Sequence, residues 1–157
     1  MTENNLAKLL DEAIRLELLV ADLYALFNEK FPEDGPFWWK LSLEEMNHAA
    51  LLKSGRDHFL PVGQFPLELA SSTIDILSGQ NRDLVDLLDR YRHHPPSRAE
   101  AFLLAHGLET SAAELHFQHA MEKHPQTPAM QIFRSLNSED LDHAQRILEY
   151  MKGHGIS

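Results

Sequence analysis

The sequence predicts an all-α fold, a four-helix bundle built from two antiparallel helix hairpins that a long crossover joins. Three observations support this prediction. Apolar residues recur every three or four positions along four long stretches, which is the spacing that buries one face of a helix. Proline or glycine separates these stretches, as expected between helices. Each stretch also carries an acidic residue in the middle of its apolar face.

The first hairpin occupies the N-terminal part of the chain. Its first helix is predicted from about Asn5 to Phe31, and Pro32 ends it because proline cannot continue a helix. The turn Asp34-Gly35-Pro36 then places a proline at the first position of a second helix, where its missing N–H leaves no hydrogen bond unmade. The second helix is predicted to end near Phe59.

The second hairpin begins with Ser97-Arg98-Ala99-Glu100, the Ser-x-x-Glu form of a capping box. This motif predicts a third helix from Ser97 to about Lys123. Thr127 and Pro128 supply an N-cap and a first-turn proline for a fourth helix, which is predicted to end near Lys152.

The residues from about 60 to 96 are predicted to form the crossover between the hairpins. Pro61, Gly79 and Pro95 interrupt any long element there. Asn81 precedes apolar residues at helical spacing that continue to Tyr91, so we expect one short helix in this connection and no fifth core helix. Residues 1–157 as a whole are predicted to form a single domain.

The composition disfavours several classes of function. The chain has 24 Asp and Glu against 14 Lys and Arg, a formal charge of −10, which disfavours nucleic acid or an anionic membrane as a partner. It contains no cysteine, so disulfides, thiolate zinc sites and cysteine-ligated iron–sulfur centres are excluded. No apolar run reaches the roughly 18 residues of a membrane span, and the N-terminus lacks a basic targeting segment. We therefore expect a cytoplasmic protein.

Four acidic residues and two histidines lie on the predicted inward faces, with at least one on each helix: Glu17, Glu45, His48, Glu109, Asp140 and His143. In the second and the fourth helix, an acid and a histidine are three residues apart and therefore share one face. A buried carboxylate costs several kcal/mol unless a cation or strong hydrogen-bond donors meet it. The pattern therefore requires either salt bridges or metal ions at the centre of the bundle.

A network of salt bridges would need basic residues beside these acids. The nearest Lys or Arg on the four faces are Arg56 and Arg98, each eleven residues from its acid and hence about 16 Å away along a helix. Because neither can neutralise the centre, the pattern favours metal binding over a purely structural polar core. Two iron ions suit a site with oxygen and nitrogen ligands, and manganese or zinc could take their place.

Four further residues are candidates for contacts with these ligands: Tyr24, His106, His116 and Glu139. The two histidines flank Glu109 on roughly the same face, where they could orient its carboxylate or make another polar contact within the bundle. Glu139 could instead replace Asp140 as the ligand, because it lies four residues before His143.

Glu17 with Tyr24 seven residues later, Glu45-Met46-Asn47-His48, Glu109, and Asp140-Leu141-Asp142-His143 together resemble the rubrerythrin-like branch of the ferritin-like superfamily. The resemblance covers nearly the whole chain except the crossover. It implies a ferritin-like fold in which Glu45 and Asp140 bridge two iron ions. Glu17, Glu109, His48 and His143 would then be terminal ligands.

The resemblance also implies a di-iron oxidoreductase that acts on peroxide or O2 as a peroxidase or ferroxidase, in a homodimer or higher homo-oligomer. Three features depart from the family. Aspartate stands at position 140 where glutamate is usual, Ala112 stands where many rubrerythrins have another ligating glutamate, and the rubredoxin module is absent. Electrons would therefore come from a separate donor protein such as a rubredoxin. Substrate hydroxylation, a non-enzymatic iron-binding or storage role, and a metal-free structural bundle are the alternatives.

Overall fold

The computed structural model describes residues 3–65, 73–115 and 127–157, and these residues contain helices and turns but no strand. The helices are α1 (Glu3–Lys30), α2 (Gly35–Phe59), α3 (Thr73–His93), α4 (Arg98–Leu115) and α5 (Pro128–Gly153), with a short 3-10 turn at Pro32–Asp34. The all-helical prediction is thus confirmed for the described residues. The predicted end of the third helix near Lys123 lies outside them.

The helices pair largely as the sequence predicts. Helix α1 packs mainly against α2, α4 packs against α5, and α2 contacts α5. The predicted caps of the second hairpin are present, because the Ser97 N–H donates to Glu100 and the Glu100 N–H donates to the Ser97 hydroxyl. At the start of α5, the Met130 N–H donates to the Thr127 hydroxyl. These contacts satisfy N–H groups that a helix leaves unpaired at its start.

The crossover differs from the prediction. Helix α3 has 21 residues rather than the short segment expected from Asn81 onward, and it packs on α1. Its residues Leu77, Leu84 and Leu88 are buried in the hydrophobic core. The expectation that no fifth helix would join the core was therefore wrong. Gly79 does not end the helix, because a glycine in a helix costs only about 1 kcal/mol and three buried leucines outweigh that.

The position of Asn81 explains why the start of this helix was predicted wrongly. We expected it at the start of the short helix, but it lies in the middle of α3 and is buried. Its side-chain amide donates to the backbone carbonyl of Glu12 at 3.0 Å and to the Glu12 carboxylate at 2.6 Å. A buried asparagine so bonded fixes the position of α3 along α1.

Close packing between α2 and α5 depends on Gly55. A Cβ atom at this position would collide with the side chain of Ile132 on α5. The glycine therefore allows these two helices, which carry the acid and histidine pairs, to approach each other closely. None of the described helices is long and apolar enough to cross a membrane.

Candidate metal centre

The six residues singled out on the inward faces converge in the middle of the bundle. Helix α1 supplies Glu17, α2 supplies Glu45 and His48, α4 supplies Glu109, and α5 supplies Asp140 and His143, and none of these residues is more than 2% exposed. Their side chains form two groups, in each of which one ligand atom per residue lies within 4.8 Å of the others. One group is Glu17, Glu45 and His48, and the other is Glu45, Glu109, Asp140 and His143.

Glu45 belongs to both groups because its two carboxylate oxygens face different histidines. Its Oε2 lies 3.2 Å from Nδ1 of His48, and its Oε1 lies 2.9 Å from Nδ1 of His143. The two imidazole rings are nearly parallel, with centroids 5.2 Å apart. Glu17 lies 3.6 Å from Nδ1 of His48, and Glu109 lies 3.4 Å from Nδ1 of His143. Each histidine therefore directs its Nδ1 atom into the cluster.

Asp140 and Glu139 occupy different environments. Asp140 is buried, and its Oδ1 lies 3.6 Å from Nδ1 of His48. The side chain of Glu139 is 57% exposed, and its Oε2 lies 2.5 Å from Nε2 of His48, on the outer edge of the ring. Glu139 therefore contacts the histidine from outside, whereas Asp140 faces the cluster.

The second histidine has a matching outer contact that the sequence analysis missed. Nε2 of His143 lies 3.0 Å from Oε2 of Glu44, and Arg146 donates to the same oxygen at 2.8 Å. Glu44 immediately precedes Glu45, as Glu139 precedes Asp140. The sequence could have indicated these outer contacts, because an acidic residue directly precedes each of Glu45 and Asp140. Helical spacing alone could not show which histidine each of these acids would contact.

The other candidates for outer contacts have different outcomes. Tyr24 is fully buried and donates a hydrogen bond of 2.6 Å to Oε1 of Glu109. His106 is half-buried, and no hydrogen bond joins its ring to the cluster within the described part of the chain. His116 lies outside the described residues. As the sequence indicated, the two arginines bind elsewhere, Arg56 to Asp11 and Arg98 to Asp34.

Burial and crowding of like charges shift the pKa values within the cluster. Burial raises the pKa of Glu45 well above its usual value, and the nearby carboxylates of Glu109 and Glu17 add to the effect. Burial lowers the pKa of His48, but Glu17 and Glu45 outweigh it and raise the pKa to about 11. For His143 burial is likewise opposed, mainly by Glu109, and the pKa is raised. With all four carboxylates ionised, two imidazolium ions would still leave the cluster with a net negative charge.

The donor set suits a pair of divalent ions. Ligands about 2.0–2.2 Å from an ion lie at most about 4.4 Å apart, so groups of donor atoms within 4.8 Å of one another need only a small contraction. Four carboxylates would balance two divalent cations with both imidazoles neutral. Outer carboxylates on both Nε2 atoms would hold the rings with Nδ1 facing the ions, a common arrangement around ligating histidines. These groups could therefore hold metal.

Two openings adjoin the cluster. A cavity of about 10 Å³ lies beside Glu17, Glu45 and Glu109, with Ala112 and aliphatic side chains in its wall. This is room for about one water-sized molecule. On the opposite side, a polar pocket of about 220 Å³ is lined by Glu44, Asn47, Glu139, Asp142, His143 and Arg146.

Comparison with models of protein families, with curated proteins and with solved structures found no match. The roles of the clustered residues therefore depend on their own geometry and chemistry.

Proposed function

We propose that this chain is a ferritin-like protein of rubrerythrin type that binds two metal ions, most suitably iron, and reduces peroxide or O2. In this proposal α1, α2, α4 and α5 form the four-helix bundle, and α3 lies in the crossover. Electrons come from a donor outside these 157 residues, because they contain no cysteine to hold the iron of a rubredoxin.

The position of Glu45 is the observation that carries this proposal. One carboxylate presents its two oxygens to two histidines on different helices, at 3.2 and 2.9 Å. A salt bridge to a single histidine would not require this arrangement, whereas a carboxylate that bridges two ions does. Glu17 and Glu109 then stand where terminal ligands of the two ions would be.

The surrounding residues support chemistry on a small molecule. When bound, the metal pair would supply redox equivalents and polarise an O–O unit. The cavity of about 10 Å³ beside three of the carboxylates has room for about one water-sized molecule, so it excludes a larger organic substrate and favours a ligand of one or two heavy atoms. Ala112 leaves this space open, because a longer side chain would extend into it. Leu16, Val20 and Leu108 make part of its wall apolar, and Gln80 and Ser111 also line it.

A metal-free structural bundle is the second candidate, and the histidines favour it. With a pKa of about 11, His48 carries a proton at neutral pH and can itself neutralise part of the buried negative charge. In that case the two histidines would neutralise the buried carboxylates, which Arg56 and Arg98 are too far away to do. A metal-binding storage protein would use the same ligands as the enzyme.

The decisive experiment measures the metal content of anaerobically purified wild type, Glu45→Ala and Glu149→Ala. Glu149 is exposed on α5 and serves as the control. We expect two ions per chain in the wild type and the control, and no pair in Glu45→Ala. Equal metal content in all three proteins, or none in any, would refute a metal pair bridged by Glu45.

The ferrous protein then distinguishes between the metal-dependent functions. Repeated turnovers of peroxide with an added one-electron donor support the oxidoreductase. Uptake of many ferric ions per chain without such turnover supports storage.

A further inference from the structure

A chain of aromatic rings leads from the metal centre to the surface. Tyr24, which donates to Glu109, has its ring centroid 5.6 Å from that of Trp38. Trp38 is 4.5 Å from Phe102, and Phe102 is stacked 5.4 Å from Tyr150. Tyr150 is half-buried near the end of α5, where it stacks at 3.9 Å on the exposed ring of His154.

The polar groups of the three oxidisable rings have environments that suit electron transfer. Each tyrosine donates to a carboxylate, Tyr24 to Glu109 at 2.6 Å and Tyr150 to Asp34 at 2.8 Å. The indole N–H of fully buried Trp38 has no hydrogen-bond partner in the described structure. Leaving a buried donor unsatisfied costs about 1–3 kcal/mol, so the indole N–H does not contribute to the stability of the core at this position.

We propose that Tyr24, Trp38 and Tyr150 form a path that carries single electrons from a surface donor to the metal centre. The proposal rests on the proposed function for its oxidant, which is the metal pair after oxidation by peroxide or O2. Phe102 separates Trp38 from Tyr150 and fills the gap between them with a ring. The surface end at Tyr150 and His154 is where a one-electron donor, a ferrous ion or a redox protein, would deliver the electron.

Each step moves one electron, and every proton stays within an existing hydrogen bond. Tyr24 gives an electron to the oxidised metal pair and its phenolic proton to Oε1 of Glu109. Trp38 then gives an electron to the Tyr24 radical, which takes its proton back, and the indole becomes a radical cation because no base accepts its N–H proton. Tyr150 reduces Trp38 and passes its own proton to Oδ1 of Asp34. Reduction of Tyr150 by the donor returns that proton, so the net result is one electron transferred.

The test uses metal-free protein, so that it does not depend on metal binding. Because the chain has no cysteine, Lys152→Cys on the exposed last turn of α5 gives a single attachment point for a ruthenium polypyridyl label close to Tyr150. A light flash with a cobalt(III) ammine as electron acceptor oxidises the label, which then takes an electron from the path. The radical is followed by transient absorption and electron paramagnetic resonance.

We expect a long-lived tyrosyl radical at Tyr24, where burial protects it from solvent. Trp38→Phe should slow its formation tenfold or more, equivalent to about 1.4 kcal/mol on the barrier. Trp38→Tyr, which restores an oxidisable ring, should recover most of the rate. The neighbouring Trp39 is 47% exposed and absent from the path, so Trp39→Phe should leave the rate unchanged. Tyr24→Phe should abolish the long-lived signal.

Equal radical formation in wild type and Trp38→Phe would overturn the proposal. So would equal losses in Trp38→Phe and Trp38→Tyr, because packing damage does not depend on whether the ring can be oxidised. Thermal unfolding of each variant checks that it folds. Failure of the chain to bind metal would refute the proposed function but would leave this result intact, so the two failures are distinguishable.

Discussion

The affinity for metal should increase strongly as the pH rises, because the candidate ligand His48 holds a proton at the nitrogen where an ion would bind. Its Nδ1 lies 3.2 Å from Glu45 and 3.6 Å from Glu17, and Nε2 is directed at Glu139. With the pKa of His48 at about 11, displacing this proton at pH 7 weakens the apparent affinity by about 10⁴, or about 5 kcal/mol. Between pH 6 and 8 the affinity should therefore improve about tenfold per pH unit for this one proton.

His143 adds a second proton, because its pKa is also raised. Loading of both positions should therefore release more than one proton, and the raised pKa of buried Glu45 acts in the same direction. Calorimetric titration of chelator-treated protein with Mn²⁺, in two buffers that differ in ionisation enthalpy, measures this number directly. An affinity that stays constant from pH 6 to 8, or a heat independent of the buffer, would refute the reasoning.

The same proton affects the stability of the metal-free protein. The pKa of His48 is raised from 6.5 to about 11 on folding, so the folded state holds the proton more tightly than the unfolded state. Its contribution is complete below pH 6.5 and is lost as the pH rises towards 11. Thermal unfolding of the metal-free protein should therefore show a melting temperature that falls over this range, and a rise would contradict the assignment.

Three further predictions concern particular side chains. The group of Glu17, Glu45 and His48 offers only three donors, and Asp140→Glu adds a methylene that should bring a fourth carboxylate to it. Metal titration should then show tighter binding at this position. Weaker binding would mean that the backbone already suits aspartate. Arg98→Met leaves buried Asp34 without its guanidinium partner and should lower the free energy of unfolding measured by urea denaturation, by an amount that the partial exposure of Arg98 reduces. Exposed Arg92→Met is its control, with an expected change within about 0.5 kcal/mol. In Gly55→Ala the overpacking against Ile132, about 1–3 kcal/mol, should outweigh the gain of up to about 1 kcal/mol in helix propensity and destabilise the protein. Gly107→Ala, with open space around it, should instead stabilise the helix by up to about 1 kcal/mol, and equal effects of the two substitutions would contradict close packing of α2 on α5.

For the described residues, the sequence by itself determined the four long helices, the caps at the starts of α4 and α5, and the face on which each candidate ligand lies. Helical spacing fixes the angle of a side chain around its own axis, and this was enough to place Glu17, Glu45, Glu109 and Asp140 inward. It also separated them from Asp142, whose side chain is 64% exposed. Arginines eleven residues from the acids could be excluded from the centre because distance along a helix follows from residue number alone.

Only the tertiary structure decided which atoms meet across helices. The outer contacts of Glu44 with His143 and of Glu139 with His48, and the hydrogen bond from Tyr24 to Glu109, depend on the rotation and depth of one helix relative to another. The position of α3 along α1 also depends on the hydrogen bonds of Asn81 to Glu12, which join residues 69 positions apart. The periodicity of one helix does not show which residue of another helix a side chain will contact. That contact depends on how closely the two helices pack and on how far one is shifted along the axis of the other.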